Sequence, residues 1–232
     1  MSKEKRLGGG YSNMKAESQT RLNEEWRQRI LSKGADFVCF VDVSEFPEEV
    51  IDGCTCAVLF GKALSGEYIA ALRAERKPKH NEVLNTEAKM DALAVMLAEQ
   101  LEAEGYKSIA KLKVGRLPHK SVALRAGLGF IGKNNLLVTP EYGCALMLGK
   151  VLTTAPFATL CQSPMMPQCG DCSVCVDVCP NRALLGKTWS LETTRDEIMT
   201  RRLCTLCLKC MIYCPYTEKY ANDNDLPLTS ER

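Results

Sequence analysis

Two short cysteine runs constrain this chain more than any other feature. The first run is Cys169-Gly-Asp-Cys172-Ser-Val-Cys175-Val-Asp-Val-Cys179-Pro180, and the second has the same spacing, with Cys204, Cys207, Cys210, Cys214 and Pro215. Each run follows the pattern C-x2-C-x2-C-x3-C-P, which is typical of [4Fe–4S] ligands because closely spaced turns direct successive thiolates toward one cluster. The repeat therefore predicts two clusters.

The fourth cysteine of each run is expected to ligate the cluster that the other run holds. In two-cluster ferredoxins this cysteine follows a short helix and ligates the other cluster. We therefore assign one cluster to Cys169, Cys172, Cys175 and Cys214, and the other to Cys204, Cys207, Cys210 and Cys179. Between the runs, Thr194-x-x-Glu197 predicts a capping box at the start of a helix.

Other uses of cysteine fit the pattern less well. Zinc takes four ligands from two C-x2-C pairs, whereas each run here supplies a third cysteine and a fourth before proline. Disulfides are rare in the reducing compartment expected for this chain. The remaining five of the 13 cysteines are interpreted as small buried apolar residues: Cys39, Cys54, Cys56, Cys144 and Cys161.

Composition narrows the class of protein. The 232 residues are 46% hydrophobic and 25% charged, with a net charge of +2. The balance is that of a globular protein and gives no overall argument for nucleic-acid binding. No apolar run approaches the ~18 residues of a membrane span, and Met1–Tyr11 lacks the apolar core of a secretory signal. We expect a cytoplasmic protein without a membrane partner.

The first two thirds of the chain alternate helical and strand patterns. We predict helices over 15–33, ending at Gly34, and from a Thr86 cap to Gly105, with Met90, Leu93, Ala94, Leu97 and Leu101 on one face. Strands are predicted over 37–41, 57–60, 109–114 and 145–152. The expected fold is α+β, with an α/β sandwich over 1–160, a cluster module over 161–220 and a loosely ordered tail over 221–232.

A glycine-rich stretch from His119 to Val138 is the densest signal outside the cysteines. Gly127, Gly129 and Gly132 match the dinucleotide fingerprint, but a helical pattern precedes them and no acidic residue follows at the required distance. The stretch also matches a phosphate loop, except that Asn134 replaces its Ser or Thr. The glycines predict a close approach of the backbone to another group, or else a structural turn.

These motifs together resemble the epoxyqueuosine reductase family and, more distantly, the reductive dehalogenases. The likeness covers roughly residues 35 to 216, and its specific part is Ala126-Gly-Leu-Gly-Phe-Ile-Gly-Lys-Asn134, followed by Thr153-Thr154-Ala-Pro156 and the cysteine runs. The resemblance implies a nitroreductase-like domain that holds base-off cobalamin beside one cluster, with electrons entering through the other. It also implies corrinoid contacts from Gly127, Gly129, Gly132, Lys133 and Asn134.

One departure from the family concerns the proton donor. The family has an aspartate upstream of the glycines, whereas ungapped comparison places Lys113 there, and no Asp or Glu occurs from Gly105 to Pro140. The catalytic candidates are then His119, Lys113 and Tyr142, with Tyr106 as a further donor. This departure predicts a cobalamin-dependent oxidoreductase with little or no activity on epoxyqueuosine.

Three classes of function follow. The first is an oxidoreductase that passes low-potential electrons, from a donor such as ferredoxin or flavodoxin, through two clusters to a corrinoid that reduces an unspecified substrate. The second is a non-enzymatic electron carrier, or a reductive activator of a partner corrinoid protein. The third is a tRNA-binding module, which only the basic stretch from Lys107 to Lys133 supports.

Overall fold

The computed structural model describes residues 8–78, 80–110 and 117–224. They divide into two compact units. The first takes its described residues from Met1–Gly61, Lys89–Val122 and Leu148–Cys161, and the second takes them from Lys62–Ala88, Ala123–Met147 and Gln162–Arg232. The second unit thus extends beyond the predicted cluster module of 161–220, because two earlier segments of the chain join it.

The first unit is built around a four-stranded sheet. Its strands are β1 (Phe37–Asp42), β2 (Cys56–Ala63), β3 (Ser108–Ala110) and β6 (Leu146–Thr153), in the order β1-β2-β6-β3. β1 pairs antiparallel with β2, with Phe37 opposite Gly61, and β3 pairs antiparallel with β6, with Ser108 opposite Thr153. The predicted strands are confirmed except over 111–114, which lie outside the described residues.

Helices α1 (Gly8–Leu31), α2 (Glu48–Ile51) and most of α4 (Glu82–Ala103) also belong to the first unit. The rings of Trp26 and Phe40 both pack against Phe157, with centroids 6.1 and 4.5 Å away. The predicted apolar face of α4 is buried at all five positions. Gly149 of β6 allows close packing here, since a Cβ would lie 3.0 Å from the Met90 carbonyl oxygen.

Three predicted helix boundaries differ from the structure, the first being the start of α1, which lies at Gly8 and not at residue 15. α4 begins at Glu82, so Thr86 is buried within the helix and does not cap it. The side chain of Asn81 accepts a hydrogen bond from the Leu84 N–H at 3.2 Å, which is the role predicted for threonine. At the other end of the chain, α9 (Pro215–Asn224) continues past residue 220, where a loose tail was predicted. The first helix ends as predicted, with Gly34 at φ +96°.

The second unit carries the cysteine runs and the glycine-rich stretch. Its elements are α3 (Gly66–Arg73), the end of α5 (His119–Arg125), a hairpin of β4 (Phe130–Ile131) and β5 (Leu137–Val138), and α6 (Val174–Asp177), α7 (Arg195–Ile198), α8 (Lys209–Ile212) and α9. The predicted capping box of Thr194 and Glu197 is present at α7. A buried apolar cluster joins Leu64, Ile69, Phe130, Met211 and Ile212, which explains why residues 62–88 and 123–147 belong to this unit.

Candidate metal centre

Four cysteines from the two runs line one cavity. Cys169, Cys172, Cys175 and Cys214 surround a space of about 210 Å³, together with Gly132, Lys133 and Asn134. Cys175 lies in α6, while Cys214 follows α8 and directly precedes Pro215, the first residue of α9. These are the four residues assigned to the first cluster, so the structure brings together both ends of the predicted crossover.

The other four cysteines are neighbours around Cys210. Burial, followed by the charges of Cys175, Cys207, Cys204 and Cys179, raises the pKa of Cys210 to about 12. Cys210 lies in α8, and Cys179 follows α6. This second set is more accessible than the first, because Cys204 and Cys207 are exposed whereas Cys175 and Cys214 are buried. Cys175 and Cys210 are electrostatic neighbours, so the two sets adjoin.

The cysteines of the first set surround a space and do not meet at a point. In 8–78, 80–110 and 117–224, no three His, Cys, Asp or Glu side chains come close enough together to hold a single metal ion. Burial and the charges of Cys169, Cys214 and Cys172 raise the pKa of Cys175 to about 11. The Cys175 thiol therefore resists deprotonation unless a cationic partner offsets the charge of its neighbours.

Lys133 holds the first cysteine loop. Its ammonium group donates hydrogen bonds to the carbonyl oxygens of Gly170 at 2.7 Å and Cys172 at 3.1 Å. Lys133 lies in the turn between β4 and β5, which places it beside the cavity. Sequence comparison assigned this residue to a corrinoid, whereas in the structure its ammonium group contacts the backbone of the loop that carries Cys169 and Cys172.

Asn134 connects the same turn to the second run. Its Nδ2 atom donates to the Cys210 carbonyl oxygen and to the Sγ atom of Cys144, each at 3.2 Å. The Oδ1 atom of Asn134 accepts from the Leu136 N–H at 3.1 Å. Asn134 is only 5% exposed, so these contacts replace water as its hydrogen-bond partners.

Cys144 is a ninth cysteine beside the first set, and sequence analysis missed its role. It was interpreted as a small buried residue, and it is indeed buried, but it also has polar partners. Its N–H donates to Thr217 Oγ1 at 2.9 Å. A hydrogen bond between the thiols of Cys144 and Cys214 raises the pKa of Cys144 and lowers that of Cys214. Cys144 is thus a buried neighbour of a predicted cluster ligand.

The three glycines of the glycine-rich stretch lie close to other residues of this chain, with no space for a side chain of their own. A Cβ on Gly129 would overlap the carbonyl oxygen of Val138 in β5. One on Gly127, which has φ +68°, would overlap the Gln162 side chain, and one on Gly132 would lie 2.7 Å from Asn134 Oδ1. A helix precedes these glycines, and Gly132 lies in the turn of the β4–β5 hairpin, whereas a dinucleotide site requires a strand before the glycines and a helix after them.

The two catalytic candidates that the structure describes belong to different units. His119 begins α5 and belongs to the first unit, where burial and then the charge of Lys150 lower its pKa to about 4. Its imidazole is therefore neutral at pH 7. Tyr142 belongs to the second unit, with its ring 5.8 Å from that of Tyr220. Lys113 lies outside the described residues.

None of the helices that the structure describes is both long and apolar enough to span a membrane.

Comparison with known proteins supports the resemblance. No protein-family model matches the chain. The epoxyqueuosine reductase of Listeria monocytogenes is 36% identical over 143 residues, which cover 55% of this chain and 36% of that protein. The enzyme of Lactococcus garvieae is 36% identical over 138 residues, covering 53% and 39%. The match thus spans little more than a third of these relatives.

Solved structures extend the similarity to most of the chain. Epoxyqueuosine reductase crystallised with an epoxyqueuosine-modified tRNA-Tyr stem loop has a TM-score of 0.61 at 19% identity, covering 86% of this chain and 66% of that one. A reductive dehalogenase, whose structure suggests a mechanism for B12-dependent dehalogenation, has a TM-score of 0.54 at 16% identity, covering 84% and 33%. The chain is therefore a relative of the epoxyqueuosine reductases in sequence and fold, and shares its mixed helix-and-sheet fold with reductive dehalogenases.

Proposed function

We propose that this protein is an iron-sulfur oxidoreductase that passes low-potential electrons through two [4Fe–4S] clusters. The observation that carries the proposal is the cavity of about 210 Å³ lined by Cys169, Cys172 and Cys175 of one run and Cys214 of the other. A crossover of this kind distinguishes two-cluster modules from zinc knuckles, which close on their own two pairs.

The electrostatics of the cysteines support a cationic metal centre at these positions. Thiols that raise one another's pKa, as around Cys175 and Cys210, become ligands only when a cationic centre stabilises the thiolates. The backbone N–H groups of Tyr216 and Thr217, in the first turn of α9, hydrogen-bond to the Cys214 sulfur and lower its pKa. Such donors stabilise a ligating thiolate and adjust the potential of its cluster.

The two sets suggest a direction of electron flow. The second set is exposed at Cys204 and Cys207, whereas the first is enclosed by the β4–β5 turn and α9. Because the two sets adjoin at Cys175 and Cys210, an electron that enters at the exposed set has a short route to the enclosed one. The enclosed set would then deliver it to the acceptor.

A corrinoid is the acceptor that the relatives support. A dehalogenase of the same fold is described as B12-dependent, and bound cobalamin would supply a strongly reducing cobalt centre. The residues expected to line a corrinoid do not fit that role as a set. Gly127 and Gly129 pack against other residues of this chain, which leaves no room there for a cofactor. The side chains of Lys133 and Asn134 donate their hydrogen bonds to the cysteine loops. This observation favours the second candidate, an electron carrier or reductive activator of a corrinoid protein.

A tRNA substrate is supported by a relative and not by the overall charge of this chain. The structural match to the reductase crystallised with a modified tRNA stem loop covers 86% of this chain. Against this, the chain carries Lys113 where that family has an aspartate, with no acidic residue between Gly105 and Pro140. We therefore propose electron transfer as the function of the cysteine site. Whether epoxyqueuosine-containing tRNA is a substrate is a question for experiment.

The test is anaerobic purification and reconstitution with iron and sulfide. We expect about eight iron atoms per chain and two interacting paramagnetic centres after reduction. Cys214→Ser should alter the first centre and Cys179→Ser the second, whereas Cys161→Ser, outside both sets, should alter neither. Zinc in place of iron, or about four irons in the unaltered protein, would contradict the assignment. A change in the visible spectrum of added cobalamin would separate the corrinoid enzyme from the electron carrier.

A further inference from the structure

The loop that holds Cys204 and Cys207 carries an exposed apolar and basic surface. Leu206 is 81% exposed and Leu203 is 41% exposed, and Arg201 and Arg202 beside them are also exposed. We call Arg182, Arg201, Arg202, Leu203 and Leu206 the leucine–arginine patch. Cys204 and Cys207, two ligands of the proposed second cluster, lie within the same loop and are exposed too.

Leu206 occupies a position that is unfavourable in two ways. Its side chain is almost fully in water, and its backbone has φ +54°, in the left-handed region that branched side chains avoid. Glycine would suit this position better, because it has no side chain to expose and adopts a positive φ without strain. A strained, exposed leucine within a cluster loop indicates a role outside the folding of this chain.

The segment of chain that carries this leucine has charged residues of one sign. From Ile198 to Thr217 the chain contains Arg201, Arg202 and Lys209 and no acidic residue. Lys209 pairs with Glu75 at 3.6 Å, which leaves the arginines as the charged part of the surface. A hydrogen bond of 3.2 Å from Asn181 to Thr205 joins the loop that carries Arg182 to the loop that carries Leu206. The patch is thus apolar at Leu206 and basic around it.

Resting on the proposed function, we propose that the leucine–arginine patch is the docking surface for a small acidic electron-transfer protein. The reduced donor loses one electron, the cluster held by Cys204, Cys207, Cys210 and Cys179 gains it, and no bond forms or breaks. The arginines steer an acidic partner into contact, and the leucines desolvate the point of contact next to the exposed cysteines. Small redox interfaces of this kind are brief and do not require a large buried area.

An RNA partner would use the arginines differently. Phosphate contacts need positive charge and hydrogen-bond donors, and they gain nothing from an aliphatic side chain held in a strained conformation. The exposure of Leu203 and Leu206 next to two cluster cysteines therefore favours a protein. RNA binding at the same arginines is one of the outcomes that the experiment distinguishes.

The experiment measures reduction of the reconstituted protein by a reduced, acidic [2Fe–2S] ferredoxin in an anaerobic stopped-flow instrument. The double variant Arg201→Glu/Arg202→Glu should slow reduction about tenfold or more at low salt, with the difference shrinking as salt screens the charges. Leu206→Gly, which suits the backbone at φ +54°, should slow it several-fold at every salt concentration. Arg21→Glu/Lys33→Glu, with the same change of net charge in α1 and the turn after it, should have no effect.

Three controls make the result decisive. Reduction by dithionite should be the same in all variants, and each should retain about eight irons, which separates failure of docking from failure of the proposed clusters. Unchanged ferredoxin rates in both patch variants, with all clusters present, would overturn the proposal. So would loss of binding to a labelled tRNA in the arginine variant while its ferredoxin rate stays normal.

Discussion

The Nδ2 atom of Asn134 donates a hydrogen bond to the Sγ atom of Cys144 at 3.2 Å. The same amide also holds the Cys210 carbonyl, and the Cys144 thiol is hydrogen-bonded to Cys214. One buried asparagine therefore connects the β4–β5 turn to a ligand of each proposed cluster. The ammonium group of the neighbouring Lys133 connects the same turn to the loop of Cys169 and Cys172, because it donates hydrogen bonds to backbone carbonyl oxygens of that loop. Positioning of the cysteine loops thus depends on residues far away in the sequence.

We expect Asn134→Ala to destabilise the protein by about 1–3 kcal/mol, because the Cys210 carbonyl and the Cys144 thiol lose a buried donor. The free energy of unfolding of the reconstituted protein, measured anaerobically in urea, checks this. Asn222→Ala on the exposed surface of α9 is the control and should change stability by no more than about 0.5 kcal/mol. Equal effects of the two substitutions would contradict the role given to Asn134.

Lys133→Gln should weaken the first cluster selectively. The amide cannot reproduce the two contacts of the ammonium group with Gly170 and Cys172, so the loop that carries Cys169 and Cys172 loses its support. We expect iron to fall from about eight toward about four atoms per chain, with the second centre retained. Iron analysis and electron paramagnetic resonance measure this, and Lys89→Gln on α4 is the matched control. Loss of the second centre before the first would contradict this role of Lys133.

Gly129→Ala should destabilise the β4–β5 hairpin by about 1–3 kcal/mol, since its Cβ would overlap the Val138 carbonyl. The structure therefore changes the expected meaning of this substitution. The resemblance implied that Gly129 contacts a corrinoid, whereas in the structure Gly129 packs against β5, and loss of the hairpin would displace Lys133 and Asn134 as well. Thermal unfolding with parallel iron analysis measures both effects, and full stability with full iron content would contradict this explanation.

His119 should make the protein less stable in mild acid. Its pKa is about 4 in the folded protein and ~6.5 when unfolded, so the unfolded chain binds more protons between these values. Stability contributed by the neutral imidazole is complete above pH ~6.5 and is lost as pH falls toward 4, by about 2–3 kcal/mol in total. His119→Gln should show a shallower loss between pH 7 and 4.5 in urea unfolding. Identical pH profiles for both proteins would exclude this role for His119.

Epoxyqueuosine-containing tRNA should be a poor substrate. A positioned general acid contributes about 10²–10⁴ in rate, and the neutral His119 and the absence of acidic residues from Gly105 to Pro140 leave no equivalent. We expect turnover at least about 100-fold slower than that of the Listeria monocytogenes enzyme measured alongside. Comparable turnover, undiminished in a Lys113→Ala variant, would show that the aspartate is not needed.

Local sequence predicted the parts of the structure that depend on near neighbours. The spacing within each cysteine run, the short helix before its fourth cysteine, the Thr194–Glu197 capping box and the apolar face of α4 all follow from residues a few positions apart. Thr86 shows the limit of this reasoning. As a sequence it is a good helix cap, yet Asn81 takes that role and Thr86 is buried inside the helix.

Cysteine spacing by itself determined the two repeated runs of closely spaced cysteines and predicted their use as cluster ligands, because turns and short helices are set by local backbone geometry. Only the tertiary structure decided what surrounds those sets. Lys133 and Asn134 reach cysteine loops 37 to 76 residues away, and Cys144 meets Cys214 in a shared core. Such contacts depend on how buried polar groups find partners when distant segments pack together, and no local pattern encodes that pairing.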